Sequence, residues 1–356
     1  MSKTIDPRGK LFQHLDSLLA IKEGRTHPPV SIELDASWRC THGCEFCHYA
    51  YTHTRGPLKG TQGKPKDAID GGDLLDFDLA KNILCQVAEY GVKACVWSGG
   101  GEPTLNPHFD DLVRHADSVG LEQGLYTHGG HIDDERAALL KSTLTWVYVS
   151  LDECTAESFK AIKGVNRFEA VLSGIRRLVD ASGDATITIG FMLHPKNYTQ
   201  IYNMVQLGKR LGVDYVQFRP VVLYDQDNPS VLVEDTSWIS DAIPRLRQFA
   251  KDSFVIADIE RFEQYANWTT HTYKVCRWTA LNTVISPNGK VWRCTNKREH
   301  PDALLGDLNV ESFVTLWERS GGVCAVSASC RVMCIGTAKN ITLDEVMTPQ
   351  PHVNFI

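Results

Sequence analysis

The sequence predicts an α/β protein built on six largely parallel strands, forming an open partial barrel or a doubly wound sheet, with a small cysteine-rich unit behind it. Three observations carry this. Between residues 31 and 220, strand-like apolar runs alternate with helical runs, an order that implies parallel pairing through right-handed crossovers. Six such units are too few to close an eight-stranded barrel. After Pro220 the alternation stops, and five of the eleven cysteines fall in the last 81 residues.

Each element has its own signature. Residues 31–36 (SIELDA) alternate and read as a strand. A helix over 78–90 is stopped by Gly91, and 92–97 (VKACVW) is a buried strand. Residues 107–119 are helical, 121–126 (LEQGLY) extended, 132–141 helical and 145–151 (TWVYVSL) a strand. A helix over 155–181 breaks near Gly164, followed by a strand at 185–193 (ATITIGFML). A helix at 198–211 ends at Gly212, and a strand at 213–218 stops at Pro220, since glycine and proline punctuate local structure. Residues 225–270 are polar and mixed, with one helix at 238–251, and 281–294 (LNTVISPNGKVWRC) reads as a hairpin around Pro-Asn-Gly. The boundaries that follow are 1–30 as an N-terminal extension, 31–222 as the α/β domain, 223–270 as a bridging region and 271–356 as the cysteine-rich domain. The stretch 54–77, with five glycines and two prolines, is too long for an ordinary loop; it is either functional or disordered, and it is expected to act as a lid. Its Arg55, Lys59, Lys64 and Lys66 either meet phosphate or face solvent.

Composition narrows the classes. Apolar residues at 43% and charged residues at 22% exclude disordered and fibrous chains. No run approaches a membrane-spanning length, and the opening MSKTIDPRGK lacks the apolar core of a secretory signal, so a cytoplasmic protein is expected. A net charge of −6 offers no general basic footprint for nucleic acid. An odd number of cysteines argues against a disulfide framework. Cys85, Cys95 and Cys154 are isolated within or beside predicted elements and read as small core fillers.

The clustered cysteines carry the chemistry. Cys40, Cys44 and Cys47 form C-x3-C-x2-C in WRCTHGCEFCHYA, just after the first strand. Three thiolates from one loop can hold three irons of a [4Fe–4S] cube and leave the fourth open to a ligand. Structural zinc, with His42, His48 or His53 as fourth ligand, is the alternative.

With Phe46 before the third cysteine, this loop resembles the cluster loop of the radical SAM superfamily, and further fragments follow in that family's order. SGGGEP, Ser98 to Pro103, resembles the GGEP segment, which implies that Gly100, Gly101 and Glu102 meet the methionyl amine of S-adenosylmethionine. VSLD places Ser150 and Asp152 where the family binds the ribose and the carboxylate end. GFMLHPKN, ending in Asn197, and VQFRP, with Gln217 and Arg219, fall where the family contacts adenine and methionine. The resemblance covers roughly residues 31–220 and implies a partial (β/α)6 TIM-like barrel. One departure is Thr127-His128-Gly129, where the family often has Thr-Asn-Gly. His128 is either a substrate contact or proton donor, or a satisfied loop histidine.

Cys276 and Cys294 enclose the hairpin as C-x12-G-x4-C with Gly289 in the turn, and Cys324, Cys330 and Cys334 read C-x5-C-x3-C. This resembles the SPASM extension of radical SAM enzymes, which holds auxiliary iron–sulfur clusters. The full pattern opens its second half with C-x2-C and has one further cysteine. Here Gly321 takes the first of those positions and no cysteine follows Cys334. The resemblance therefore implies the shorter, single-cluster twitch form, with Cys276, Cys294 and Cys334 as ligands and Cys324 or Cys330 as the fourth. A zinc ribbon is the alternative.

For function, the resemblance implies reductive cleavage of S-adenosylmethionine at the [4Fe–4S] cluster of Cys40, Cys44 and Cys47. The resulting 5′-deoxyadenosyl radical abstracts a substrate hydrogen, and flavodoxin or ferredoxin serves as reductant. The auxiliary [4Fe–4S] cluster accepts an electron, ligates substrate or staples its domain. Many relatives of this type modify peptides with an N-terminal leader-binding domain, but only 39 residues precede Cys40. The expected substrate is thus a small molecule such as a sugar, nucleoside, nucleotide or amino acid derivative, with a peptide or protein as the alternative. From another class, a non-catalytic zinc-binding module on an α/β scaffold also accounts for the cysteines.

Overall fold

The structure, a computed structural model, describes residues 7–47, 74–221, 235–267, 271–298, 300–327, 330 and 334–348. The predicted lid therefore lies outside the described residues up to residue 73. Two short helices, α1 (Pro7–Leu11) and α2 (Leu15–Lys22), precede β1 (Ser31–Asp35). Helices and strands then alternate: α3 (Phe77–Tyr90), β2 (Ala94–Ser98), α4 (Phe109–Ser118), β3 (Glu122–Thr127), α5 (Asp134–Thr143) and β4 (Trp146–Ser150). Next come α6 (Ala156–Lys163), α7 (Phe168–Asp180), β5 (Thr186–Leu193), α8 (Ile201–Leu211) and β6 (Tyr215–Pro220). The chain continues through α9 (Trp238–Arg247), β7 (Val255–Ala257), α10 (Ile259–Asn267), β8 (Val275–Cys276), β9 (Asn282–Ile285) and β10 (Lys290–Trp292). It closes with β11 (Leu304–Asp307), α11 (Phe313–Ser320), β12 (Cys324–Ala325) and α12 (Thr337–Met347).

Local chemistry sets the boundaries. The Asp76 carboxylate accepts from the Leu79 amide at 2.9 Å, satisfying an otherwise orphaned donor at the start of α3. Gly91 ends that helix at φ 108 in the left-handed region, where glycine carries no Cβ penalty. Gly164, at φ 72, separates α6 from α7 where the sequence predicted a break.

Ten strands form one sheet in the order β11-β10-β9-β1-β2-β3-β4-β5-β6-β7. All neighbours from β9 to β7 are parallel. The six predicted strands are its centre, and two additions extend it. One is β7, which pairs with β6 from within the stretch read as polar and mixed. The other is the predicted hairpin, β9 and β10, whose first strand pairs with β1 so that Ser31 lies opposite Asn282. Separately, β8 and β12 pair antiparallel, with Cys276 opposite Cys324.

Alternation along each strand separates two faces. Ile32, Trp97, Val147, Ile189 and Phe218 point outward and are buried in the main core. Their neighbours Glu33, Ser98, Tyr126, Ser150, Gln217 and Arg219, on the other face, retain some accessible surface. Two glycines make room for aromatic rings there. A Cβ on Gly124 would lie 2.1 Å from the Trp146 ring, and one on Gly190 would lie 2.0 Å from the Tyr148 ring. A smaller core joins Leu11 and Leu18 to Trp278, Leu281 and Leu343, with Cys276 and Cys294 against it. Among the described residues no helix is long and apolar enough to cross a membrane.

Candidate functional site

The first cysteine loop leaves the carboxyl end of β1 and is tied on both sides. The Glu102 amide donates to the Arg39 carbonyl at 2.7 Å, while Gly43 and Glu45 donate to Lys163 and Ile162 carbonyls at 2.8 Å each. The loop is thus held between the 98–103 turn and the end of α6. Burial pushes the Cys40 thiol up to about 12, and burial raises Cys44 as well. Both thiols are therefore protonated in the metal-free chain, and iron ligation must release those protons.

Lys163 was not singled out from the sequence. It is buried on the inner face of α6 beside Phe159 and Ile162, and its ammonium pairs with the equally buried Asp152. The same nitrogen donates to the Ser150 carbonyl at 3.3 Å and lies 5.4 Å from the centre of the Phe46 ring. Burial opposes its charge, but Asp152 and the cysteine Cys44 outweigh burial and hold its pKa above the ordinary lysine value. The available signal was a lysine within an apolar helical face, immediately before the stop glycine.

The predicted cofactor residues converge on the strand ends, but several side chains are engaged within the protein. One Glu102 oxygen accepts from the Thr104 and Thr127 hydroxyls at 2.6 Å each, and the other accepts from the His128 amide at 2.8 Å. Asp152 accepts from the Met192 amide at 2.7 Å and adopts φ 61, the only non-glycine positive φ among the described residues. Such a conformation persists only when its surroundings over-determine it. Asn197 donates to the carbonyls of Asp152 at 2.9 Å and Met192 at 3.0 Å, tying the end of β4 to that of β5. Gly101 has a filled Cβ direction, 2.4 Å from the Arg39 carbonyl oxygen, so glycine there admits the cluster loop's own backbone. Gly100 is buried beside it, and Ser150 is partly buried at the end of β4. Arg219 donates to Gln217 at 2.9 Å and to the Tyr126 hydroxyl at 3.3 Å, with its guanidinium 5.0 Å from the Tyr148 ring centre.

His128 stacks on His42 with ring centres 4.0 Å apart and interplanar angle 16°. Burial holds His128 well below its ordinary value. It is a neutral, packed imidazole whose backbone serves Glu102. His48 and His53 lie outside the described residues.

Farther along the chain, Cys276, Cys294, Cys324, Cys330 and Cys334 line one cavity of about 260 Å³. Among the described residues no three His, Cys, Asp or Glu side chains meet at the spacing of a single metal ion. Cys324 is drawn down to about 6, first by a hydrogen bond with Cys276, while burial raises Cys294 to about 11. The loop after Cys294 also reaches the barrel. Arg298 is buried with its Nε 2.7 Å from Asp35 and its Nη2 3.2 Å from Glu33, so an ion pair connects the two cysteine regions. On α12, the Lys339 ammonium lies 4.9 Å from the Trp278 ring centre. Burial, then Arg261, pulls it down to about 8.

A loop with three cysteines at the mouth of a partial parallel barrel defines the class, and residues 37–208 match the radical SAM superfamily. That match implies a [4Fe–4S] cluster that binds S-adenosylmethionine. It is 28% identical over 188 residues to a probable GTP 3′,8-cyclase of Saccharolobus islandicus, covering 52% of this chain and 55% of that protein. It is 23% identical over 298 residues to the PqqA peptide cyclase of Gluconobacter oxydans, covering 82% and 77% respectively. The chain thus spans about half the length of the cyclase from Saccharolobus. Among solved structures it resembles Streptococcus suis SuiB bound to S-adenosylmethionine, with TM-score 0.62, 14% identity and coverage of 89% and 70%. It also resembles anSMEcpe with bound AdoMet, with TM-score 0.58, 16% identity and coverage of 82% and 80%. These likenesses share the fold.

Proposed function

We propose that this chain reductively cleaves S-adenosylmethionine and abstracts a hydrogen from a small-molecule substrate in the barrel chamber, yielding an oxidation, isomerisation or bond formation. The observation that carries this is the Cys40–Cys47 loop, pinned between the Gly101 turn and α6 with a buried Lys163–Asp152 pair beneath it. When bound, the [4Fe–4S] cluster of Cys40, Cys44 and Cys47 supplies the electron that turns S-adenosylmethionine into methionine and a hydrogen-abstracting 5′-deoxyadenosyl radical.

The chain's own residues position and enclose. Gly100, Gly101 and Glu102 shape the turn facing the methionyl end, with Glu102 acting through its bonds to Thr127 and the His128 amide. Ser150 and Asp152 take the ribose and carboxylate side. Asn197 fixes the backbone there, and Gln217 and Arg219 close the far rim. Lys163 supplies a fixed positive charge beside Cys44 and Cys40, which favours their thiolates over the thiols that burial alone would impose.

One auxiliary [4Fe–4S] cluster is assigned to Cys276, Cys294 and Cys334, with Cys324 or Cys330 as fourth ligand, because all five line one cavity. On this reading, residues 31–222 are the catalytic domain and 271–356 the auxiliary domain, bridged by 223–270 and preceded by the extension 1–30. Flavodoxin or ferredoxin is the proposed reductant. The abundance of unpaired thiols suits a cytoplasmic setting. A peptide substrate is the second reading, favoured by the likeness to the PqqA peptide cyclase over most of the chain.

The test is replacement of each of Cys40, Cys44 and Cys47 by alanine. Each variant is expected to lose 5′-deoxyadenosine formation under dithionite. Retained turnover in any one of them overturns the assignment. Anaerobically reconstituted wild type should be brown, absorbing near ~400 nm, whereas a zinc protein would be colourless.

A further inference from the structure

The second half of the cluster loop is held differently from the first. Gly43 and Glu45 are tied by backbone bonds to α6, whereas the bond from the Cys47 amide to the Cys44 carbonyl, at 3.1 Å, stays within the loop. Side chains make the outward connection there. Phe46, the residue before Cys47, has its ring centre 5.5 Å from that of His194 at an interplanar angle of 38°, within the range of favourable ring pairs. The Lys163 ammonium lies 5.4 Å from the same ring. The Glu45–Lys196 ion pair, at 2.6 Å, joins the same two segments, but its side chains are 49% and 62% exposed, so it adds little.

His194 is itself fixed from behind. The Lys196 amide donates to its Nδ1 at 3.3 Å, which leaves Nε2 to donate to the Glu153 carboxylate at 3.1 Å. The His194 amide donates to the Asn197 side-chain oxygen at 2.9 Å. Glu153 is fully buried. One of its oxygens accepts from His194 and, at 3.3 Å, from Asn197, and the other is buried with no hydrogen-bond partner among the described residues. A buried carboxylate left half satisfied costs stability that plain core packing does not require. Its place in the fold is explained by the ring it orients, just as the partners behind metal-site residues orient the groups in front of them.

We propose that Glu153 and His194 are positioning residues for the third cysteine. Glu153 fixes the plane of the His194 ring, and that ring, with Lys163, holds Phe46 and so sets where Cys47 presents its thiolate, an inference that rests on the radical SAM reading above, in which Cys47 is a cluster ligand.

The experiment uses the full chain and five single variants. His194→Gln keeps a donor for Glu153 but removes the ring. Glu153→Leu removes the acceptor, Glu153→Gln keeps one, Phe46→Leu removes the ring that His194 meets, and Lys196→Ala removes the exposed ion pair. Amide hydrogen exchange at Phe46 and Cys47 is measured first, on the metal-free chain. It should be at least about tenfold faster in His194→Gln and Glu153→Leu, and within about threefold of wild type in Glu153→Gln and Lys196→Ala. After reconstitution with iron and sulfide, 5′-deoxyadenosine formation should fall about 10–100-fold in the first two variants and recover in Glu153→Gln. The change that S-adenosylmethionine makes in the electron paramagnetic resonance signal of the reduced cluster should weaken in parallel. Because Glu153 acts through Phe46, adding Glu153→Leu to Phe46→Leu should change the rate by less than about threefold, a non-additivity that general loss of stability does not produce. If His194→Gln exchanges like wild type, if Lys196→Ala matches it, or if the Glu153 and Phe46 effects simply add, the positioning role is overturned. His194→Gln carries the test on its own if Glu153→Leu does not fold. Failure of the underlying reading shows separately, as wild type that takes up no iron after reconstitution, while the exchange measurement still reports on the pair.

Discussion

Replacing Gly101 by alanine tests how the cluster loop is held. The added Cβ would lie 2.4 Å from the Arg39 carbonyl oxygen, 2.4 Å from the Trp38 carbonyl carbon and 2.7 Å from the Ser37 carbonyl oxygen. Carbon contacts relax near ~3.5 Å, so the two segments must part by about 1 Å. Neither can swing aside easily, because Ser37 and Trp38 are buried and the Glu102 amide is bonded to Arg39 at 2.7 Å. Overpacking of this kind costs about 1–3 kcal/mol, and weakening the Glu102–Arg39 hydrogen bond adds about 1 kcal/mol. A loss of about 2–4 kcal/mol is expected in urea denaturation of the metal-free chain. Because Arg39 adjoins Cys40, the same shift should lower iron retention and reduce 5′-deoxyadenosine formation by ~100-fold, the cost of about 1 Å of misplacement. The comparison is Gly99→Ala, whose Cβ would lie 3.1 Å from the Ser37 carbonyl oxygen and should cost under ~1 kcal/mol. Equal stability, iron content and cleavage rate in the two variants would refute the reasoning.

Further outcomes are expected. Lys163→Met leaves the Asp152 carboxylate buried without its cation and should destabilise the chain by about 3–5 kcal/mol. Adding Asp152→Asn should restore part of that loss, and strictly additive effects would dismiss the pair. Because the pKa of folded Lys163 is raised, its contribution is intact at neutral pH and fades only as pH climbs through and beyond the ordinary lysine range. Reconstituted wild type should hold about eight irons per chain, at four per cube, and Cys276→Ala, Cys294→Ala and Cys334→Ala should fall to about four. One of Cys324→Ala and Cys330→Ala should behave like these variants and the other like wild type. Wild-type iron near four, with zinc filling the difference, would leave a single-cluster enzyme.

Much of the framework was legible because its signals are local. Gly91 and Gly164 end helices where only a left-handed residue fits, and both stops were readable as glycines. The cluster loop was legible for the same reason, since three cysteines within eight residues share a loop however the rest folds. The roles of Glu102 and Gly101 were less so. Motif spacing puts them in the turn proposed to meet the cofactor, but it says nothing of the Thr127 hydroxyl or the Arg39 carbonyl that occupy them.

By itself the sequence determined the alternation of strands and helices, the first cysteine loop and the residues at each strand end, because periodicity, turn chemistry and thiol spacing act over a few residues. Only the tertiary structure decided that β9 would lie beside β1, that β7 would extend the other edge and that five distant cysteines would share one cavity. The same holds for the buried contacts of Lys163 with Asp152 and of Arg298 with Asp35. These depend on which surfaces meet once the core has formed. A buried charge takes its value from the partner and the enclosure that packing provides, and neither is encoded in its neighbours along the chain.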